Sequence, residues 1–526
     1  MDRRLFFLAI VVFAAGCGKG NFSAKTNAAA GSTLRVAIHT QPTTLDPALV
    51  QDVDTGDLIQ NVYEGLVAYG EDNKIKPMLA ESWTTEDGGK TYVFKIRNAK
   101  FHNGRAITAG DFVWTFNRNA DPKLKSPITL GYLGDIVGMK ERVDGKAKDI
   151  RGVSAPDDRT LRITLDKPRP YFLGKLTYPC GFLLAKEAAS AGEINSPETS
   201  IGTGPFKLAA YVPAQQVELK SFADYWDGAP KIERYVRPVI QDAQARLVKF
   251  RNGELDMLTL ERQDLAAVEG DEKLKPQLKA QPRPAIYYLG LNQNAYAPFK
   301  DKRVRRAFAM AVDRKKIADD LVGLPLAGGL VPVGVPGSRK DLPAIPYDPE
   351  GARAMLAEAG FAGGKGLPAL TIHYREGRPD SQLLAVAAAQ DLEKNLGLKV
   401  QPRSMEWRSF LEARNKEELP FYGASWYGDY LDPQNFLSFL LRTGANENHD
   451  GYSNPAFDEL VDQADTMPDG PDRLAVYQAA ETLLLEDTAR IPVYMGLDMI
   501  LVSPRLQGLR YNLLGTMPMA KVTLAP

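Results

Sequence analysis

Phe421-Tyr422-Gly423-Ala424-Ser425-Trp426-Tyr427-Gly428-Asp429-Tyr430-Leu431-Asp432-Pro433 is the stretch on which the fold turns. It begins as a short strand of aromatic and small residues. Asp432-Pro433 reads as an N-cap with proline at the first helical position, opening a helix through Phe436 and Leu440 that stops at Gly444. Strand, turn, helix is an α/β pattern, and it puts Asp429 in the turn. The positive end of the helix favours an ionised carboxylate there, by up to about 1 kcal/mol. A fixed anion at a strand end, three residues after Trp426, can receive a ligand's ammonium group. The plainer alternative is an Asx-turn beside a core tryptophan.

Working outward, strands and helices alternate on both sides of this stretch. Upstream, Leu370–Tyr374 and Lys399–Arg403 read as strands, and Asp348-Pro349 opens a helix ending at Gly360. Asp380–Asn395 forms a helix that closes at Gly397, and Glu406–Asn415 another. Downstream, Asn454-Pro455 caps a helix, Pro471–Asp487 is the last long one, and Ile491–Tyr494 and Ile500–Val502 return as strands. The first half is richer in strand. Leu34–Ile38 alternates, Asp57–Leu66 is helical in pattern, and Asp87-Gly88-Gly89 is hairpin chemistry before Lys90–Arg97. Thr108-Ala-Gly-Asp111 is a capping box. From Pro325 to Pro349 six prolines mark a long ordered excursion.

At 526 residues the chain exceeds one core and calls for two or three domains. Lys+Arg and Asp+Glu are each 65, so nothing favours nucleic acid, which selects a basic excess. Residues 1–16 form a signal peptide: Arg3 and Arg4, then an apolar run from Leu5 to Ala15 that is too short to span a bilayer. The run closes on Ala14-Ala15-Gly16-Cys17, similar to the bacterial lipoprotein box, with Cys17 the lipidated residue; an ordinary secretory signal is the alternative. Residues 17–33 are a flexible tether. The only other cysteine is Cys180, so no disulfide framework is expected.

Catalytic and metal signatures are absent from the sequence. His39, His102, His373 and His449 stand in no metal-ligand spacing, and no Gly-x-Ser-x-Gly, His-Glu-x-x-His or Cys-x-x-Cys occurs. Gly88-Gly89-Lys90-Thr91 lacks the first phosphate-loop glycine, with Thr84 in its place, and runs into a strand. An exported hydrolase would need a nucleophile–base pair that the sequence does not display. Neither an enzyme nor a cofactor or metal is expected.

A set of ordered blocks then identifies a family. Leu79-Ala80-Glu81-Ser82-Trp83, Lys90-Thr91-Tyr92-Val93-Phe94, Phe101-His102-Asn103-Gly104 and Gly202-Thr203-Gly204-Pro205-Phe206 come first. Phe250-Arg251-Asn252-Gly253-Glu254-Leu255-Asp256, Val304-Arg305-Arg306-Ala307 and Leu356-Ala357-Glu358-Ala359-Gly360 follow. Together they resemble the family 5 extracellular solute-binding proteins of ABC importers, most closely the oligopeptide-binding members, over nearly the whole chain beyond the signal peptide.

The resemblance implies a type II, cluster C periplasmic-binding-protein fold: two hinged lobes and an accessory domain. Lobe I would comprise 34–57, 182–287 and 493–526, the accessory domain 58–181 and lobe III 288–492. It implies that Asp429 pairs with a peptide's α-ammonium, and that the peptide lies as an added strand beside Ser425, Trp426 and Tyr427, with Gln41, Pro42 and Thr43 opposite. Trp407 and Trp426 match positions that line side-chain pockets, and Arg414 a position that meets the carboxylate of shorter peptides. A second family arginine falls on Gly423 and a histidine on Ser381, so length preference would differ, unless Arg378 or Arg442 substitutes. Implied partners are a permease and ATPase, a membrane reached through the lipid, and no nucleic acid; the chain would be monomeric. Other ligands in this class are murein peptides, opine-like conjugates, nickel chelates and haem. A role in signalling is a further alternative.

Overall fold

The computed structural model describes residues 32–189, 193–322, 327–342 and 345–525. The signal peptide, Cys17 and all of the tether before Ser32 lie outside them, as do parts of the proline-rich excursion.

The strand Phe421–Tyr427 sits inside a six-stranded sheet. Its order is Met257–Thr259, Arg490–Val502, Leu278–Leu291, Phe421–Tyr427, Leu370–Arg375, Val400–Met405. Two of these strands are long, and they run antiparallel to each other through the middle. At one end of the pair, Arg490–Val502 takes Met257–Thr259 as its neighbour; at the other, Leu278–Leu291 takes Phe421–Tyr427. Ile491–Tyr494 and Ile500–Val502, read separately from sequence, are thus one strand. The expected boundaries at 287/288 and 492/493 fall inside continuous strands. The ladder is instead broken between Pro282 and Ile286. Pro282 and Pro284 have no N–H to donate, so the pairing must lapse there.

A four-stranded sheet, ordered Thr33–Arg35, Arg234–Pro238, Gln216–Ser221, Phe206–Val212, lies on the Met257 side. A third sheet, Ala80–Glu86, Thr91–Ile96, Thr160–Thr164, Val153–Asp157, forms the accessory region. Its first hairpin follows the sequence signal. Tyr92, Phe94 and Ile96 are buried while Lys95 is exposed, and Asp87, Gly88 and Gly89 all take positive φ in the turn.

Two helices differ from expectation. The helix anticipated over Asp57–Leu66 spans Val53–Ile59, because Asp52 caps it by accepting from the Thr55 N–H. The chain leaves the helix after Ile59 so that the Asn61 and Val62 carbonyls can accept from Phe206 and Gly204. That approach requires the glycines of Gly202-Thr203-Gly204: a Cβ at Gly202 would stand 2.0 Å from the Val62 carbonyl oxygen. The helix after Asp432 is split into a 3₁₀ turn, Pro433–Asn435, and a short helix, Ser438–Leu441. Asp432 does cap it through Gln434 N–H, while its carboxylate is held by Arg473 through two 2.8 Å bonds.

The accessory region packs on both neighbours. Tyr225 and Trp226 donate to its Glu64, which ties it to the first lobe. Its apolar core also runs on into residues 436–441 as one cluster, with Phe439 against Gly131 and Tyr430 against Gly174. Among the described residues no helix is long and apolar enough to cross a membrane.

Candidate ligand-binding site

Between the two lobes lies a cavity of about 350 Å³. Gly423 to Asp429 form one wall, Val50 to Asp54 with Asp57 the opposite one, and Tyr132 and Tyr178 of the accessory region close an end. The strand wall has an open edge. All seven residues of Phe421–Tyr427 pair with the strand behind, but on the other side Leu370–Arg375 pairs only at Phe421 and Tyr422. From Gly423 to Tyr427 that edge faces the cavity without a partner strand.

Asp429 stands at the end of this edge, held by neutral groups alone. The Tyr132 hydroxyl donates to its Oδ2 at 2.5 Å, and the Asn435 amide approaches the same oxygen at 3.4 Å. Asn435 is fully buried and organises the turn: its Oδ1 accepts from Asp429 N–H at 2.9 Å and from Trp426 Nε1 at 3.1 Å. No Lys, Arg or His among the described residues pairs with Asp429. Burial pushes its carboxyl up to about 7, against the hydrogen bonds of Tyr132 and Asn435. The expectation that a helix end would favour the ionised form is corrected: the helix is too fragmented to outweigh desolvation.

The sequence-predicted residues divide into two groups. Ser425, Trp426, Tyr427, Asp429, Trp407 and Arg414 all line the cavity. Trp426 packs on Phe439, and the Tyr427 hydroxyl meets that of Tyr287 at 2.7 Å. Trp407 lies under the Arg375 guanidinium, 4.3 Å from the ring centre. Arg414 is buried and faces Glu447 at 3.5 Å, which His449 also approaches at 3.1 Å. Gln41, Pro42 and Thr43 are not part of the wall. Gln41 accepts from Ala214 N–H, and the Thr43 carbonyl accepts from Arg408 across the lobe boundary at 2.7 Å. Of the two substitute arginines, Arg378 lines the cavity with Asp380 at 3.5 Å, whereas Arg442 lies outside, held by Asp462 at 2.6 Å. Sequence reading missed Tyr132, Tyr178 and Asn435. Asn435 carried a local signal, three residues after the Asp432 cap; Tyr132 is brought in from 297 positions away.

Residues 74–448 match the model of the bacterial extracellular solute-binding proteins, family 5 Middle. The chain belongs to this family. It is 31% identical to the dipeptide-binding protein DppE of Bacillus subtilis over 94% of this chain and 92% of that one. It is also 31% identical to the probable deoxycholate-binding periplasmic protein YgiS of Escherichia coli, over 96% of each. Among solved structures, the murein tripeptide binding protein MppA of Escherichia coli superposes with a TM-score of 0.87 at 29% identity, covering 95% of this chain and 99% of that one. The unliganded open form of MppA gives 0.70 over 94% and 98%. The lobes here are therefore arranged unlike that open form.

Proposed function

We propose that this chain is the peptide receptor of an ABC importer: it captures short peptides between its lobes and delivers them to a permease, without chemistry of its own. Lipid at Cys17 tethers it on the extracytoplasmic face, and the body acts as a monomer. The lobes move about the proline-broken middle of the two long strands.

The observation that carries this reading is Asp429, enclosed at the end of an unpaired strand edge and matched by no cation among the described residues. An ammonium brought into such a site loses several kcal/mol of hydration and requires a carboxylate to offset it. A peptide adds a strand to the free edge through backbone hydrogen bonds that ignore side-chain identity, and its α-ammonium reaches Asp429. At the other end Arg378 and Arg375 offer guanidinium groups to the carboxylate, which are bound to their own acids only at 3.5 and 3.8 Å. Haem and simple metal ions do not call for this constellation. A bile-acid anion could meet Arg375 and Arg378 with its carboxylate but carries no ammonium for Asp429.

The test is thermal stabilisation by di- to octapeptides, with N-acetylated versions alongside. Free-amine peptides raise the melting temperature and acetylated ones do not. Equal stabilisation by both would remove Asp429 from this role.

A further inference from the structure

Behind the peptide cavity, in the first lobe, lies a second chamber of about 50 Å³. It borders the main cavity, and Asp54, Asp57, Arg283, Asp498 and Thr516 line both. A chamber this size holds a few water molecules or the end of one side chain.

Most charges around it are already matched. Arg283 bonds Asp498 at 2.5 Å as well as the Leu514 carbonyl, Asp54 faces Arg375, and His39 faces Glu261. Three groups keep unused hydrogen-bonding capacity, although Arg237 and Asp57 attract each other. Arg237 is 7% exposed, yet its only hydrogen bond among the described residues runs from Nη1 to the Tyr235 hydroxyl, and its Nε is enclosed without a partner. The Tyr511 hydroxyl is enclosed and equally unpartnered. The Asp57 carboxylate receives one long bond, 3.4 Å from Gln60. A guanidinium this buried, with one neutral hydrogen-bond acceptor, gains from a further acceptor placed in the chamber.

The chemistry of the walls selects what that is. Arg237 and Tyr511 need an acceptor, and Asp57 needs a donor. A carboxylate would satisfy Arg237 and be repelled by Asp57, an ammonium the reverse, and an alkyl group would satisfy neither. A primary carboxamide supplies an acceptor and two donors on one planar, neutral group. We propose that this chamber is a side-chain pocket of the peptide site that selects a ligand side chain ending in a carboxamide, glutamine or asparagine, read between Arg237 and Asp57. The proposal rests on the peptide reading above. Burial raises Asp57 to about 6, opposed by Arg283 and Arg237, so it is chiefly an acceptor at neutral pH.

The test is calorimetric titration of the full chain with tripeptides of alanine in which one residue is Gln, Asn, Glu, Lys or Leu, scanned through all three positions at pH 7.5. At one position Gln or Asn binds at least about tenfold more tightly than Leu, as one satisfied charged hydrogen-bond pair allows. Asp57→Asn turns the preference toward Glu, and Arg237→Gln turns it toward Lys. Should the buried arginine variant fail to fold, Asp57→Asn alone decides, because it keeps the side chain's shape. An unchanged ranking in Asp57→Asn, or equal affinity for all side chains in the wild type, means that the chamber holds only water and overturns the proposal. Failure of trialanine itself to bind would instead tell against the peptide reading.

Discussion

Asp429 shows how a single side chain can be both legible and misjudged. Its place at the strand end, near Trp426, followed from strand and cap signals within thirteen residues. Its electrostatics did not, because Tyr132 and Glu447 arrive from elsewhere in the chain and enclose it. Two predictions follow from that enclosure. Asp429→Asn leaves the ligand ammonium buried without a counter-charge, which costs about 2–5 kcal/mol and so weakens free-amine peptides by roughly 30-fold to several thousand-fold; titration calorimetry reads it directly. The second concerns pH. In the empty protein the carboxyl titrates near 7, far above its value of 3.8 in solvent. Its contribution to stability is therefore fully present below about 4 and is lost as pH rises through 7. Binding an ammonium reverses the balance by requiring the ionised form, so a proton leaves when peptide binds at pH 6. Affinity then falls as pH drops below 7, by up to about tenfold per unit, and falls again once the α-amino group deprotonates above roughly 8. Calorimetry in buffers of different ionisation enthalpy detects that proton, and Asp429→Asn loses the acid limb. Persistence of that limb in the variant would assign it to another group.

At the scale of elements, period and capping were strong guides. The capping box at Thr108, the caps at Asp348 and Asn454 and the left-handed Gly397 stand where local chemistry puts them. What local chemistry could not supply was partnership. Nothing in Ile491 to Val502 says that one strand will cross two lobes, and nothing in Gly423 to Tyr427 says that its edge will stay open. That edge makes its own prediction. Methylating a ligand's backbone nitrogens removes donors without touching its charges, at about 0.5–1.5 kcal/mol for each bond lost. Competition against the unmethylated peptide should show alternate positions sensitive and the intervening ones tolerant, because successive groups of an added strand point to opposite sides. Uniform tolerance would mean that the ligand does not lie along the edge. A second test addresses folding alone. Gly290 lies against the Tyr422 ring, where a Cβ would come within 2.3 Å. Gly290→Ala therefore costs about 1–3 kcal/mol by overpacking, seen as a lowered denaturant midpoint with little change in ligand ranking.

For the whole molecule, the question is what holds the lobes together when the cavity is empty. Long-range contacts answer it, and these are the part least visible in sequence. Arg408 donates to the Thr43 carbonyl, and Arg375 reaches Asp54 at 3.8 Å and the Thr40 hydroxyl at 3.4 Å. Gln41 to Thr43 were expected to face the ligand from the opposite lobe; the Thr43 carbonyl instead meets Arg408 of the other lobe, and Gln41 bonds Ala214 within its own. These contacts are partly exposed, and each contributes no more than about 1 kcal/mol. They can bias closure without fixing it. Because Arg408 is outside the cavity wall, its removal separates closure from recognition. Arg408→Ala should favour the open arrangement by up to about 1 kcal/mol, lowering the affinity of every peptide by the same factor of about five or less, since the competent fraction multiplies all affinities alike. Small-angle scattering of the ligand-free variant should show a larger radius of gyration than the wild type, with the two converging when peptide saturates them. A variant that reorders peptides by side chain, with no change in scattering, would place Arg408 in recognition and leave closure to the apolar seam between Phe439 and Gly131.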